Sequence, residues 1–181
     1  MIARLAACFA LAASLLPAWG MTPEEAYAAI PHKRTLFDPA SSGATGQSAS
    51  LARLFAMSDR GVVLRVEGMR AHSAGDARAL GRVLADYDAL IELLKGERFD
   101  ASIAPARDLI VAAMQGQRRY LASRPAGTVS LERADLSRTA EVREASRNLH
   151  RAYDLLKKQF PRETARNVSA YYDHLCALDY L

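Results

Sequence analysis

Cysteine is nearly missing: the chain has two, Cys8 and Cys176. Cys8 sits inside an N-terminal stretch that reads as a leader, so the remainder would hold Cys176 alone. One thiol makes no intramolecular disulfide, and the fold must rest on its core. Cys176 itself reads as a half-buried small hydrophobe on the last helix. Cys-x-x-Cys-His for covalent haem, paired Cys or His-x-x-x-His for zinc, the Gly-x-Ser-x-Gly elbow and Gly-rich phosphate loops are all missing. No catalytic residue is named on this reading, no cofactor is expected, and the chain is read as a non-enzyme.

Aromatic residues are few, at 7%, while Ala, Leu and Arg are plentiful, so helix formers outnumber strand formers. Charge of one sign is lacking too. The formal charge is +4 and losing Arg4 lowers it by one, a mild and dispersed surplus that gives no reason to expect nucleic acid.

Long apolar runs are confined to the start. Arg4, the run "LAACFALAASLL", and Ala18 and Gly20 before Met21 have the order of a secretory signal peptide over residues 1–20. The run is shorter than the roughly 18–20 residues a spanning helix needs, and no stable membrane span is expected after cleavage. These features predict export to the periplasm.

What is present is helical grammar. "MTPEEAYAAI" offers Thr22 as a cap, Pro23 for the first turn and two glutamates where the helix dipole favours them, and Pro31 ends it. "PASSGATGQSAS" (39–50) has the composition of a flexible linker. Residues 21–47 thus form a short helix, an extended arm and a Ser/Gly linker ahead of a domain over 48–181.

In that domain the first long segment (49–72) aligns Leu51, Leu54, Phe55, Ser58, Val62, Val66 and Met69. Gly61 and the β-branched valines of "RGVVLRVEG" allow a strand at 60–68 instead, but nothing nearby could pair with it. The second segment, capped by Ser73 or Asp76, carries Leu80, Val83, Leu84, Tyr87, Ile91 and Leu94 at spacings of three and four. The third runs over 102–123. The fourth (135–160) lines up Val142, Ala145, Leu149, Ala152, Leu156 and Phe160, and Pro161 stops it. The fifth (162–179) uses Val168, Tyr171, Leu175 and Leu178. This predicts an all-α fold: an antiparallel up-and-down bundle of four long helices plus a shorter C-terminal one, with an N-terminal extended arm.

Two sets of residues are candidate sites. The first is the arm "IPHKRTLFD", where His32, Lys33 and Arg34 carry charge and Leu36 and Phe37 form an apolar anchor. The arm either recognises a partner or lies across its own bundle, with Ile30, Leu36 and Phe37 inward and His32, Lys33 and Arg34 in water. The second set is His150, His174, Met69 and Met114, the raw material for non-covalent haem or a transition metal serving electron transfer or sensing. Periodicity places both histidines beside the apolar stripe, and the methionines where core fillers are expected. His174 and Cys176, two apart, point about 200° apart and form no catalytic pair. Asp86 and Asp88 are expected on a solvated outer face. The main reading is an exported bundle that binds an envelope protein or a small apolar ligand.

Overall fold

The computed structural model describes residues 20–128 and 132–181. The expected signal peptide therefore lies outside the described residues except for Gly20. Among the described residues the chain is all-helical, with seven α-helices and no strand. None of these helices is long and apolar enough to cross a membrane.

Helix α1 (Pro23–Ala28) begins as its residues dictate. Thr22 Oγ1 accepts from the Glu25 amide at 3.2 Å, and the Thr22 amide donates to Glu25 Oε2 at 2.7 Å, a reciprocal capping box. Helix α2 (Ser48–Ser73) is unbroken through "RGVVLRVEG", so the strand alternative falls. Its glycines mark close approach. A Cβ on Gly61 would lie 2.5 Å from Met114 Cε and 2.8 Å from Leu178 Cδ1, and one on Gly68 would lie 2.7 Å from Leu121 Cδ1.

Asp76 caps α3 (Ala77–Gly96), its Oδ1 accepting from the Ala79 amide at 2.9 Å. Helix α4 (Ala104–Ala122) carries Pro105 in its first turn, where the missing N–H costs no bond. The expected single segment over 135–160 is two helices, α5 (Arg133–Arg138) and α6 (Ala140–Gln159). Thr139 divides them in an extended conformation (φ −81°, ψ 126°). Its hydroxyl donates to the Asp135 carbonyl at 3.2 Å, a local bond that competes with helix continuation. Pro161 lies in a turn, and a new helix, α7 (Ala165–Leu178), starts after Thr164, whose side chain accepts from the Asn167 amide.

Helix α2 packs on α1, α3, α4 and α7. Helix α4 also meets α3 and α6, and α6 meets α5 and α7. The α4–α6 contact is the most extensive. Small residues let these backbones come close: a Cβ on Gly116 would lie 3.4 Å from the Ala145 Cβ. Tyr87, Tyr120, Tyr171, Phe55 and Met114 fill the centre with little or no exposure. Met114 is thus a core filler in place, while Met69 is half-buried.

The Ser/Gly run expected to be a linker is instead held. It holds a 3-10 turn over Pro39–Ser41, capped by Asp38, and then binds Glu163, just ahead of α7. The Ser42 hydroxyl donates to Glu163 Oε2 at 2.6 Å and the Gly43 amide to Oε1 at 2.9 Å. Composition alone could not reveal a carboxylate 120 residues away that satisfies this backbone.

Candidate functional site

The site grows from one misfit in an apolar row. On α2, Phe55, Asp59, Val62 and Val66 follow at four, three and four, which puts Asp59 on the buried face. A buried carboxylate needs partners. Three come from three different segments. His174 Nδ1 on α7 lies 2.6 Å from Asp59 Oδ1, the Tyr27 hydroxyl of α1 donates to the same oxygen at 3.0 Å, and Arg34 of the arm donates to Oδ2 at 2.7 Å. Arg34 also pairs with Glu24, and its guanidinium lies 4.9 Å from the Tyr27 ring centre. Burial works to raise the Asp59 pKa, but the bonds from His174 and Arg34 outweigh it and hold the group below the ordinary aspartate value. Tyr27 moves the other way: burial and the adjacent Asp59 charge push its phenol far up.

A second set of bonds fixes the rest of the arm. The Thr35 amide donates to Asp173 Oδ2 at 2.8 Å, and the Asp38 amide to Asn167 Oδ1 at 2.9 Å, while Asn167 Nδ2 donates back to the Asp38 carbonyl. Phe37 packs among Phe55 and Tyr171, ring centres 5.4 and 5.9 Å away. Tyr171 in turn donates to Glu163 Oε2 at 3.0 Å.

The arm therefore lies on the chain's own helices, with an inside and outside that differ from the expected one. Ile30 and Phe37 are inward as predicted. Arg34, expected in water, turns in because Asp59 is there to receive it. Leu36 turns out and is 53% exposed, on the side opposite its neighbour Phe37. Lys33 is exposed, and His32 is half-buried with Nε2 3.8 Å from Asp173 Oδ1.

His150 and His174 reach different carboxylates. His174 is buried against Asp59, its ring stacked on Phe55 at 4.9 Å, which corrects its expected place at the edge of the apolar stripe. His150 is 59% exposed, with Nε2 3.7 Å from Asp179 Oδ2. It shares a cleft of about 320 Å³ with His32 instead, together with Arg65, Arg133, Tyr172 and Cys176. Burial raises the Cys176 thiol pKa, so this sulfur is not held as a thiolate. Among the described residues no three His, Cys, Asp or Glu side chains form a group able to hold a metal ion. Asp88 is exposed and bound to Arg118, as an outer-face carboxylate should be, but burial raises the Asp86 pKa.

Arg65 closes this cleft and opens the next. Its Nη1 donates to the Ala177 carbonyl at 2.7 Å, and its guanidinium lies 5.5 Å from the Tyr180 ring. On its other side Ala29, Ile30, Val66, Met69 and Ala74, with Arg70 and Ser73, line an apolar cleft of about 600 Å³ where α1 and the arm meet α2. Asp59, Asp173, Asn167 and Glu163, which bind the arm, were not singled out from the sequence. For Asp59 and Asn167 a signal exists, a polar residue inside an apolar row. Asp173 and Glu163 carry none.

Compared with known proteins, the chain matches no family model, no curated protein and no solved structure.

Proposed function

We propose that this is an exported, periplasmic protein that acts by binding rather than catalysis, taking a small apolar ligand in the cleft between the arm and α2. That cleft carries the proposal. Its volume of about 600 Å³ falls in the range of small-molecule sites. Its walls are aliphatic and thioether groups from Ala29, Ile30, Val66 and Met69, and Arg65 and Arg70 give it a polar edge. The His174–Asp59 pair, which would be the natural acid–base couple, is spent on the arm and enclosed by Phe55. A protein partner is the second form of the binding reading, and exposed Leu36 is the observation in its favour.

The scaffold is proposed to be an antiparallel up-and-down bundle of α2, α3, α4 and α6 closed by α7. Support comes from the short connections: residues 74–76 join α2 to α3, and 97–103 join α3 to α4. Neighbours joined so closely must reverse direction.

The test is a titration with a polarity-sensitive naphthalene dye, repeated on Met69→Glu. Saturable one-to-one fluorescence enhancement that the substitution abolishes supports the cleft as the ligand seat. Enhancement that is absent, or unaffected by a carboxylate placed among those apolar walls, refutes it.

A further inference from the structure

We infer that hydrolysis of the bond between Gly20 and Met21 creates a docking site: the new Met21 ammonium group pairs with the Glu67 carboxylate of α2. The inference rests on the export reading above. In the hydrolysis the Gly20 carbonyl–nitrogen bond breaks. Water gives its hydroxyl to the Gly20 carbonyl carbon and a proton to the Met21 nitrogen. The new carboxylic acid ionises at neutral pH, and the proton it releases is balanced by the one the amine takes up to become ammonium. The leader-processing protease supplies the catalysis.

The geometry is already set for the product. A Cβ on Gly20 would lie 3.3 Å from Glu67 Oε1, so the backbone at the expected cut runs beside that carboxylate. The Met21 backbone N–H also faces Glu67 and acts to lower its pKa. The Met21 side chain packs against the core, with its sulfur 4.0 Å from Arg70 Nη1, and the capping box of α1 starts at Thr22. The chain is therefore anchored from the first residue that would remain after the cut.

The electrostatics favour a cation here. Glu67, Arg70 and Asp76 face the site from α2 and the turn after it, and Arg82 and Asp86 face it from α3. Burial raises the Glu67 pKa, and the Asp86 charge raises it further, against the opposing effects of Arg70, the Met21 N–H and Arg82. In the uncleaved chain Met21 offers that carboxylate only a neutral amide hydrogen. Cleavage replaces it with a charged donor at the same atom, and an ammonium in contact with a carboxylate holds its proton more tightly.

The sign of the pH dependence follows. The α-amino group of an unfolded chain titrates near about 7.7–8.0. Pairing raises the folded value, so the stabilisation is complete below about pH 8 and is lost as pH rises through the folded pKa.

Two measurements test this. Intact mass of the exported protein should correspond to a first residue of Met21; any other start overturns the export-site reading and the origin of the site with it. Separately, the mature chain is released from a fusion with Met21 first, and compared with a chain bearing two glycines in front of Met21 and with Glu67→Gln. NMR titration of the α-amino group should give a pKa raised by about one unit, a tenfold tighter hold on the proton. The thermal midpoint should fall through the same pH range, and both the extension and Glu67→Gln should remove that dependence. An ordinary α-amino pKa in the Met21-first chain, unchanged by Glu67→Gln, overturns the ion pair even if the mass is right.

Discussion

Replacing Asp59 with alanine tests the arm's seat at its centre. The carboxylate accepts from Tyr27, Arg34 and His174, so the substitution leaves three donors on three segments without their acceptor. Bonds to a charged group contribute about 1.5–3 kcal/mol each. They share one acceptor and do not add, and removing one member of a buried ion pair costs about 3–5 kcal/mol. The lower part of that range suits this site, because Arg34 keeps Glu24 as a second partner and is 18% exposed. For a chain of this length a loss of about 3 kcal/mol lowers the thermal midpoint by about 6–12 °C. Circular dichroism melts measure the total, and trypsin measures where it falls. Lys33 and Arg34 are cleavage sites inside the arm, so nicking there should accelerate well before the helices melt. A midpoint within 2 °C of the parent, with no faster cleavage after Lys33 or Arg34, would refute the claim that Asp59 holds the arm.

Two further perturbations act at the other end of the arm. Glu163 is held at a pKa of about 2, because bonds from Ser42, Gly43, Thr164 and Asn167 outweigh the opposing effect of burial. A depressed carboxylate contributes stability above its unfolded pKa, near about 4.3, and loses it as pH falls toward the folded value. Glu163→Gln should therefore flatten the loss of thermal stability between roughly pH 4 and pH 2, read by melts across that window. Gly43→Ala should destabilise by about 1–3 kcal/mol in urea melts, because a Cβ there overlaps the Arg162 carbonyl, and backbone cannot move aside as a flexible side chain can.

The helices were legible because their apolar spacing is local. Leu80, Val83, Tyr87, Ile91 and Leu94 specify α3 with no knowledge of what lies opposite, and the structure buries all five. Thr139 was not legible as a break. Val142 to Phe160 keep the helical period beyond it, and the interrupting bond is a hydroxyl choosing a carbonyl one turn back. The arm's docking was legible in outline from Ile30 and Phe37, since apolar side chains seek cover. Its orientation was not. Arg34 belongs inside only because Asp59 awaits it 25 residues later, and His174 belongs inside only because the same carboxylate is there 115 residues earlier. Polar burial is a property of pairs, and pairs this distant leave only the trace of an isolated charge in an apolar row.

The arm and α7 also fit each other by length. Thr35 and Asp38 are three residues apart, about 10 Å in extended chain, and their amides meet Asp173 and Asn167, six residues apart and about 9 Å along a helix. The arm thus runs opposite to α7, and it is the arm's backbone, not its side chains, that α7 grips at these points. Side-chain identity matters for docking at Arg34 and Phe37, which enter the interior, and at Asp38, which caps the 3-10 turn. Lys33 and Leu36 stand outside that scheme. Folding places them in solvent and takes nothing from their chemistry, so substitutions there leave the seat of the arm intact while changing the surface it presents. Substitutions at Lys33 and Leu36 should therefore leave the thermal midpoint unchanged, which circular dichroism melts check.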